Sequence, residues 1–335
     1  MAQREQGATM TTDRLFTSWD ETHSELWGHQ TIRLEHSLHR QPAFSLDDLA
    51  RLIETYPREH YSLVRTGAQG SSRIWRDGDI GKLSGREVIE AISRGGLWLN
   101  LREVSSIDRR YHDMIDQMFA EVAAKVPGFE APTHQAGILI SSPDAQVYYH
   151  VDLPGQGLIQ IAGRKRVYVY PNTPPFIRPE HLEDCALFQS EVDIPYADWY
   201  DEHAKVIDLE PGQMLSWPLN APHRVENLCT LNVSMTVSYV NDAVRRAQAL
   251  HLANGMLRHR FGYTPKSDRL RGPAFFAKRV TQRLLRDSKW VKRERAARCP
   301  IEFRLDEADT GTVADLLKAT SKAASEVASD SRFWK

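Results

Sequence analysis

Long apolar runs are missing from this 335-residue chain, and none approaches the roughly 18 residues that a membrane-spanning helix needs. Cysteine is nearly absent too. Cys185, Cys229 and Cys299 show no CxxC spacing, which excludes a disulfide framework and a zinc ribbon and fits a reducing cytosol. Neither sign of charge dominates: 43 Lys and Arg face 44 Asp and Glu, for a net charge of -1. Bulk charge therefore predicts neither a nucleic-acid nor an acidic-membrane partner. The opening "MAQREQGATMTTDR" lacks the apolar stretch of a secretory signal, so residues 1–12 are expected to form a loose tail of a cytoplasmic protein. Repeats and low-complexity segments are lacking as well. What the chain does have is 41% hydrophobic residues, enough for one large core or two smaller ones.

Up to about residue 135 the pattern is mixed. "SLDDLARLIETYP" predicts a helix with Ser45 as N-cap and Pro57 beyond its end. "SGREVIEAISRGG" carries Ser84 and Glu87 at capping-box spacing and stops at Gly95-Gly96. "LWLNLREV" reads as a strand, and "IDRRYHDMIDQMFAEVAAKVPG" as a long amphipathic helix. From about 136 to 241 come short β-rich runs: "AGILISS", "QVYYHVD", "GLIQIAG", "RVYVYP", "KVIDL", "QMLSWP", "HRVEN" and "TLNVSMTVSYV". Turn residues separate them and no long crossover helix is evident, so an antiparallel sandwich or barrel is expected. After 242 helices return, and 258–298 carries 14 Lys or Arg against three acids. A solvated helical face is the simple reading of that stretch; an acidic partner or RNA is the other. The tail from 318 reads as a frayed helix.

Chemistry concentrates in the β-rich part. Side chains two apart on a strand share a face, so His150 and Asp152 point together, opposite Val147, Tyr149 and Val151. A chain with 13 histidines yields about one such pair by chance, so context has to single it out. His223 supplies that context: it follows a Pro-Gly turn, a strand and Pro222 in "PGQMLSWPLNAPHRVEN". Two His and one carboxylate form a set that leaves coordination positions open, as non-heme Fe(II) oxygenases require, whereas structural zinc takes a closed set of four.

"QIAGRKRVYVYP" then places Lys165 fifteen residues after His150. In this combination the segment 134–240 resembles the core of the JmjC-type, cupin-like 2-oxoglutarate/Fe(II) oxygenases. The likeness is to the protein-hydroxylase branch that includes the asparaginyl hydroxylase of the hypoxia pathway. The resemblance implies an α+β fold with a double-stranded β-helix (jelly-roll) core, flanked by N- and C-terminal helices. It implies a catalytic domain over 13–241 with its core at 134–241, and a helical region over 242–335. It implies Fe(II) held by His150, Asp152 and His223, and 2-oxoglutarate held through its distal carboxylate by Lys165, with Arg164 and Arg166 facing away. The implied reaction hydroxylates a C–H bond of a protein or peptide side chain, or of a small molecule, and releases succinate and CO2.

Departures from that pattern bear on the co-substrate. Val147 stands where the hypoxia-type enzyme has a Thr, and Gln156 and Ser238 stand at two of its Asn positions. Tyr148, Ser234 and Thr236 are candidates for the missing hydroxyl. Asn232, Ser234, Thr236 and Ser238 alternate, so one face of their strand is polar and lines either a wet cavity or the solvent side. Trp217 is expected to pack in the core or to wall the cavity, and His134 and Gln135 to lie at the surface or at the site mouth. Related enzymes pair two chains through C-terminal helices, and residues 280, 284, 285 and 291 supply an apolar helix face for a homodimer. The rival reading is a cupin that binds a metal or ligand without turnover, as a sensor or interaction module.

Overall fold

The structure is a computed structural model, and it describes residues 14–67, 74–189, 194–265, 267–296, 301–306 and 313–316. The expected 1–12 tail, Cys299 and the helix from 318 lie outside the described residues. In chain order the elements begin with β1 (Phe16–Ser18), α1 (Glu21–Leu26), β2 (Ile32–His36) and α2 (Leu46–Thr55). Next come β3 (Tyr61–Thr66), β4 (Trp75–Asp79), α3 (Gly85–Ser93), β5 (Leu97–Leu101), α4 (Val104–Ile107) and α5 (Arg109–Lys125). The β-rich part holds β6 (Thr133–Ser141), β7 (Gln146–His150), β8 (Gly155–Val169), α6 (Pro179–Phe188), β9 (Lys205–Leu209), β10 (Gln213–Ser216) and β11 (His223–Val240). The chain continues through α7 (Asp242–Phe261), α8 (Pro273–Leu285), α9 (Lys289–Ala296), β12 (Ile301–Leu305) and β13 (Val313–Asp315).

Local chemistry sets the helix starts. The Ser45 hydroxyl accepts from the Asp48 N–H at the head of α2. Ser84 and Glu87 exchange both capping-box bonds at α3, and the Asp108 carboxylate caps α5.

Among the described residues the strands join in one mixed sheet, ordered β1-β2-β10-β8-β11-β6-β5-β3-β4-β12-β13, with β7 on β11 and β9 on β8. Its spine is the antiparallel β8–β11 pair. "GLIQIAG" and "RVYVYP" are therefore one strand and not two, and so are "HRVEN" and "TLNVSMTVSYV". The register shifts between Leu228 and Ser234, opposite Gly163. Gly163 has φ +73°, and a Cβ there would sit 2.7 Å from the Leu231 carbonyl oxygen, so the bend requires glycine. On one side of the bend the order is β10-β8-β11-β6, and on the other β9-β8-β11-β7.

The inner faces of these two blocks meet. Leu139, Leu158 and Leu215 of the first pack with Val167, Val169, Leu209 and Val225 of the second. The opposite face of the first block, through Ile138, Ile140, Ile159, Val233, Met235 and Val237, is covered by the N-terminal helices. This is the expected antiparallel sandwich, with two differences. A ten-residue helix, α6, interrupts it between β8 and β9. Its sequence shows no helical apolar period, because its buried residues gather at the C-terminal end, against α7 and α9.

The expected helical region after 242 also differs. It holds three helices and then returns to the sheet, where β12 pairs in parallel with β4 and β13 with β12. Phe303 anchors this return: it is fully buried and lies over Gly78, where a Cβ would meet its ring at 2.2 Å. Arg76 adds ion pairs to Glu302 and Asp315. These short strands draw their stability from partners more than 200 residues away, which no local pattern encodes. No helix among the described residues is long and apolar enough to cross a membrane. Phe303→Ala should cost about 3–5 kcal/mol by urea denaturation, the range for emptying a buried aromatic site. A loss under about 1 kcal/mol would mean that β12 is peripheral to the core.

Candidate metal centre and its buried lysine

His150 ends β7, Asp152 follows it, and His223 begins β11 directly opposite His150. Ligand atoms of the three lie within 4.8 Å of one another. Asp152 Oδ2 is 3.3 Å from His223 Nε2 and 3.9 Å from His150 Nε2, and the two imidazole centroids are 4.2 Å apart. Each ring is oriented by its other nitrogen. His150 Nδ1 is 2.7 Å from the Tyr148 carbonyl and His223 Nδ1 is 3.1 Å from that of Ala221. A carbonyl accepts only, so both Nδ1 atoms carry a proton, and as ligands the two rings would turn an Nε2 lone pair towards Asp152. Burial, and then the neighbouring His150, push the His223 pKa down, which favours the neutral ligating form. Burial raises the Asp152 carboxyl, but when the histidines are protonated a hydrogen bond from His223 and the charge of both hold it below its ordinary value. Two imidazoles and one carboxylate, converging from two segments of the chain, fit a divalent metal ion that retains open positions.

One expectation about faces is corrected. Val147 pairs with Val225 while His150 pairs with His223, so three residues of β7 advance against two of β11. This bulge turns Val147 towards the interior as well, where it packs on the inner cluster. The Tyr148 hydroxyl is engaged elsewhere, with the backbone of Gly67 and Ile74.

Lys165 lies farther in, on β8 opposite Asn227, and is only 2% exposed. Its Nζ reaches the Ser141 hydroxyl at 3.4 Å, and among the described residues no carboxylate pairs with it. Asn227 completes the surroundings, donating to Ser141 Oγ at 2.9 Å and to the Ser142 carbonyl. Burial alone pushes the Lys165 ammonium down to about 7. Arg164 and Arg166 face outward, to Glu210 and Asp208.

The open question about β11 is resolved: its polar face is internal. Ser234 donates to Gln160, and Gln160 donates to Asn232, all three fully buried. Thr236, half-buried, donates to the Gly137 carbonyl. Gln156 and Ser238 pair with each other and close the first block away from the bend, as His223 and Val169 close the second. Trp217 is both core and wall, buried with its ring centroid 4.6 Å from that of His223. His134 is bonded to Asp116, and Gln135, the strand partner of Ser238, is bonded to Ser106. Sequence reasoning missed Ser141, Asn227 and Asn220. Asn227 was accessible to it, since the fourth residue after His223 on a strand shares its face.

No family model matches the chain, and no curated protein matches it. Solved structures do. Escherichia coli ycfD matches at TM-score 0.47 and 17% identity, over 82% of this chain and 70% of that one. YcfD, a ribosomal oxygenase from Escherichia coli, in complex with cobalt and 2-oxoglutarate matches at 0.44 and 16%, over 84% and 72%. The same protein with cobalt and succinic acid matches at 0.42 and 15%, over 84% and 71%.

The buried ammonium has a consequence for the metal-free protein. Its depressed pKa means that the unfolded chain binds the proton more tightly, so the penalty is full below pH 7 and is relieved as pH rises from about 7 to 10.5. Lys165→Met should therefore stabilise the metal-free protein at pH 6–7, by up to about 4–5 kcal/mol. The gain should shrink towards pH 10. A thermal-shift series with no gain at neutral pH would place Lys165 in solvent.

Proposed function

We propose that the protein is a 2-oxoglutarate- and Fe(II)-dependent dioxygenase that hydroxylates a C–H bond. We read the two packed blocks as a double-stranded β-helix of the JmjC type, within a catalytic unit spanning 13–241. His150, Asp152 and His223 hold the metal in this reading. Bound there, Fe(II) supplies the oxygen-dependent chemistry that couples conversion of 2-oxoglutarate to succinate and CO2 with insertion of one oxygen atom into the substrate. The chain's own residues bind and orient. Lys165 meets the distal carboxylate of 2-oxoglutarate, with Ser141 beside it in place of the hydroxyl absent at Val147. Gln156 and Ser238 line the co-substrate's side of the cavity. Trp217, Val147 and Val225 exclude water from it.

The observation that carries this reading is a buried lysine with no anion beside it among the described residues, on the same inner face as the triad. A buried charge is costly unless paired, so its retention points to an anionic ligand. Spacing supports the choice of ligand. Lys165 lies opposite Asn227, four residues from His223, or about 13 Å along the strand. A lysine stem reaching back and a five-carbon dicarboxylate together fill such a gap. The substrate class is a protein or peptide side chain, or a small molecule. Residues 280, 284, 285 and 291 were expected to form a dimer face. Val291 is fully buried within the chain and Leu285 packs beside it, which leaves Phe276, Val280 and Leu284 exposed on α8 for a second copy.

The test is succinate formation from 2-oxoglutarate with Fe(II) present, with and without candidate substrates. His150→Ala, Asp152→Ala and His223→Ala should each abolish turnover while preserving the fold. Lys165→Met should raise the KM for 2-oxoglutarate tens-fold or more, as expected when one side of a buried charge pair is removed, and leave metal affinity nearly unchanged. Lys165→Arg should fall between them, since the guanidinium keeps the charge but needs a wider pocket. Wild-type 2-oxoglutarate binding in Lys165→Met would reject the assignment in favour of a cupin binding module. Light scattering at micromolar concentration should show a dimer that Leu284→Glu dissociates; a monomeric parent protein removes the dimer and leaves the enzyme reading intact.

A further inference from the structure

The three metal-site residues come from two separate pieces of chain, and one of those pieces is irregular. Asp152 lies between the end of β7 at His150 and the start of β8 at Gly155, outside any strand ladder. Its carboxylate must nonetheless meet two imidazoles. His223 follows a tight turn in which the Ala221 N–H donates to the Pro218 carbonyl at 3.0 Å. Asn220 occupies that turn with φ +59°, a left-handed conformation that asparagine tolerates better than other side chains. Its amide then leaves the turn and donates to the Asp152 backbone carbonyl at 2.9 Å, across 68 residues of sequence. The next residue, Ala221, supplies the carbonyl that orients His223.

We infer that Asn220 is a positioning residue for the metal centre, tying the Asp152 segment to the His223 turn so that carboxylate and imidazole are held in register before any metal binds. This rests on the reading that the triad holds a metal. Two requirements meet at this one position. The backbone here takes positive φ, which Gly, Asn and Asp adopt most readily. The cross-link needs a donor, because its partner is a carbonyl oxygen, and of those three only Asn has one. Aspartate would aim an acceptor at an acceptor, and glycine would leave the Asp152 carbonyl without its partner. Asn220 touches neither substrate nor metal, so its effect falls on the geometry of the ligands.

The test is titration of metal-free protein with Co(II) or Mn(II) alone, followed by visible absorption or electron paramagnetic resonance, in the full chain. Asn220→Gly keeps the backbone conformation and removes the amide. It should weaken metal affinity about ten-fold, the usual effect of losing a partner that orients ligands, while the melting temperature of the metal-free protein stays close to that of the parent. Asn220→Asp should bind metal no better than Asn220→Gly. Metal affinity in Asn220→Gly equal to that of the parent overturns the inference. So does a fall in affinity matched by loss of the metal-free fold, which would make Asn220 an ordinary turn residue. If the parent protein itself binds neither metal, the metal reading fails and takes this inference with it, an outcome distinct from the other two.

Discussion

A lysine sits inside this sandwich with no anion beside it among the described residues, and the surrounding architecture makes sense around that fact. Lys165 is held by a strand that continues unbroken through a bend, so its side chain cannot swing to solvent as a loop lysine would. Its neighbours, Ser141 and Asn227, offer hydrogen-bonding groups but no countercharge. Such an arrangement costs stability in the empty protein and becomes favourable when a carboxylate arrives in a site that excludes water. The His150–Asp152–His223 cluster at the outer end of the same face, a candidate metal site, supplies a second fixed point. Two groups of opposite kind, a lysine within and a candidate cation site nearer the rim, fit the proposed ligand, anionic at one end and chelating at the other.

The bend at Gly163 makes that juxtaposition possible. Without it β8 and β11 would be one long ribbon, and the two blocks would not face each other. Because they do, residues far apart in sequence share one interior: Gln160 and Ser234 from one block, Lys165 and His223 from the other. The Gln160–Ser234–Asn232 chain satisfies its own buried polar groups. It is scaffold and not an open binding group, which sharpens the contrast with the unpaired lysine.

Much of this was legible in the sequence, for identifiable reasons. Period two on a strand set Lys165 inward against outward Arg164 and Arg166. The same argument grouped His150 with Asp152, but Asp152 lies past the end of β7 and meets His150 by the path of the loop, not by strand alternation. Helix starts at Ser45, Ser84 and Asp108 follow from local capping chemistry. What escaped depends on partners remote in sequence. The face of Val147 is set by a bulge that exists only through pairing with β11. Strands β12 and β13 find their places through β4 and Arg76, and α6 through its contact with α7 and α9. Asn220 carries no sequence signal of its own between Pro218 and Pro222, because its contact depends on where Asp152 ends up.

The most direct measurement is calorimetric titration of 2-oxoglutarate into metal-free and Mn(II)-loaded protein, with glutarate, which lacks the 2-oxo group, as comparison. If the ligand bridges lysine and metal, 2-oxoglutarate should bind at least about ten-fold more tightly to the metal-loaded protein, while glutarate, able to use only Lys165, gains much less. Equal affinity of 2-oxoglutarate for both forms would contradict the two-anchor site.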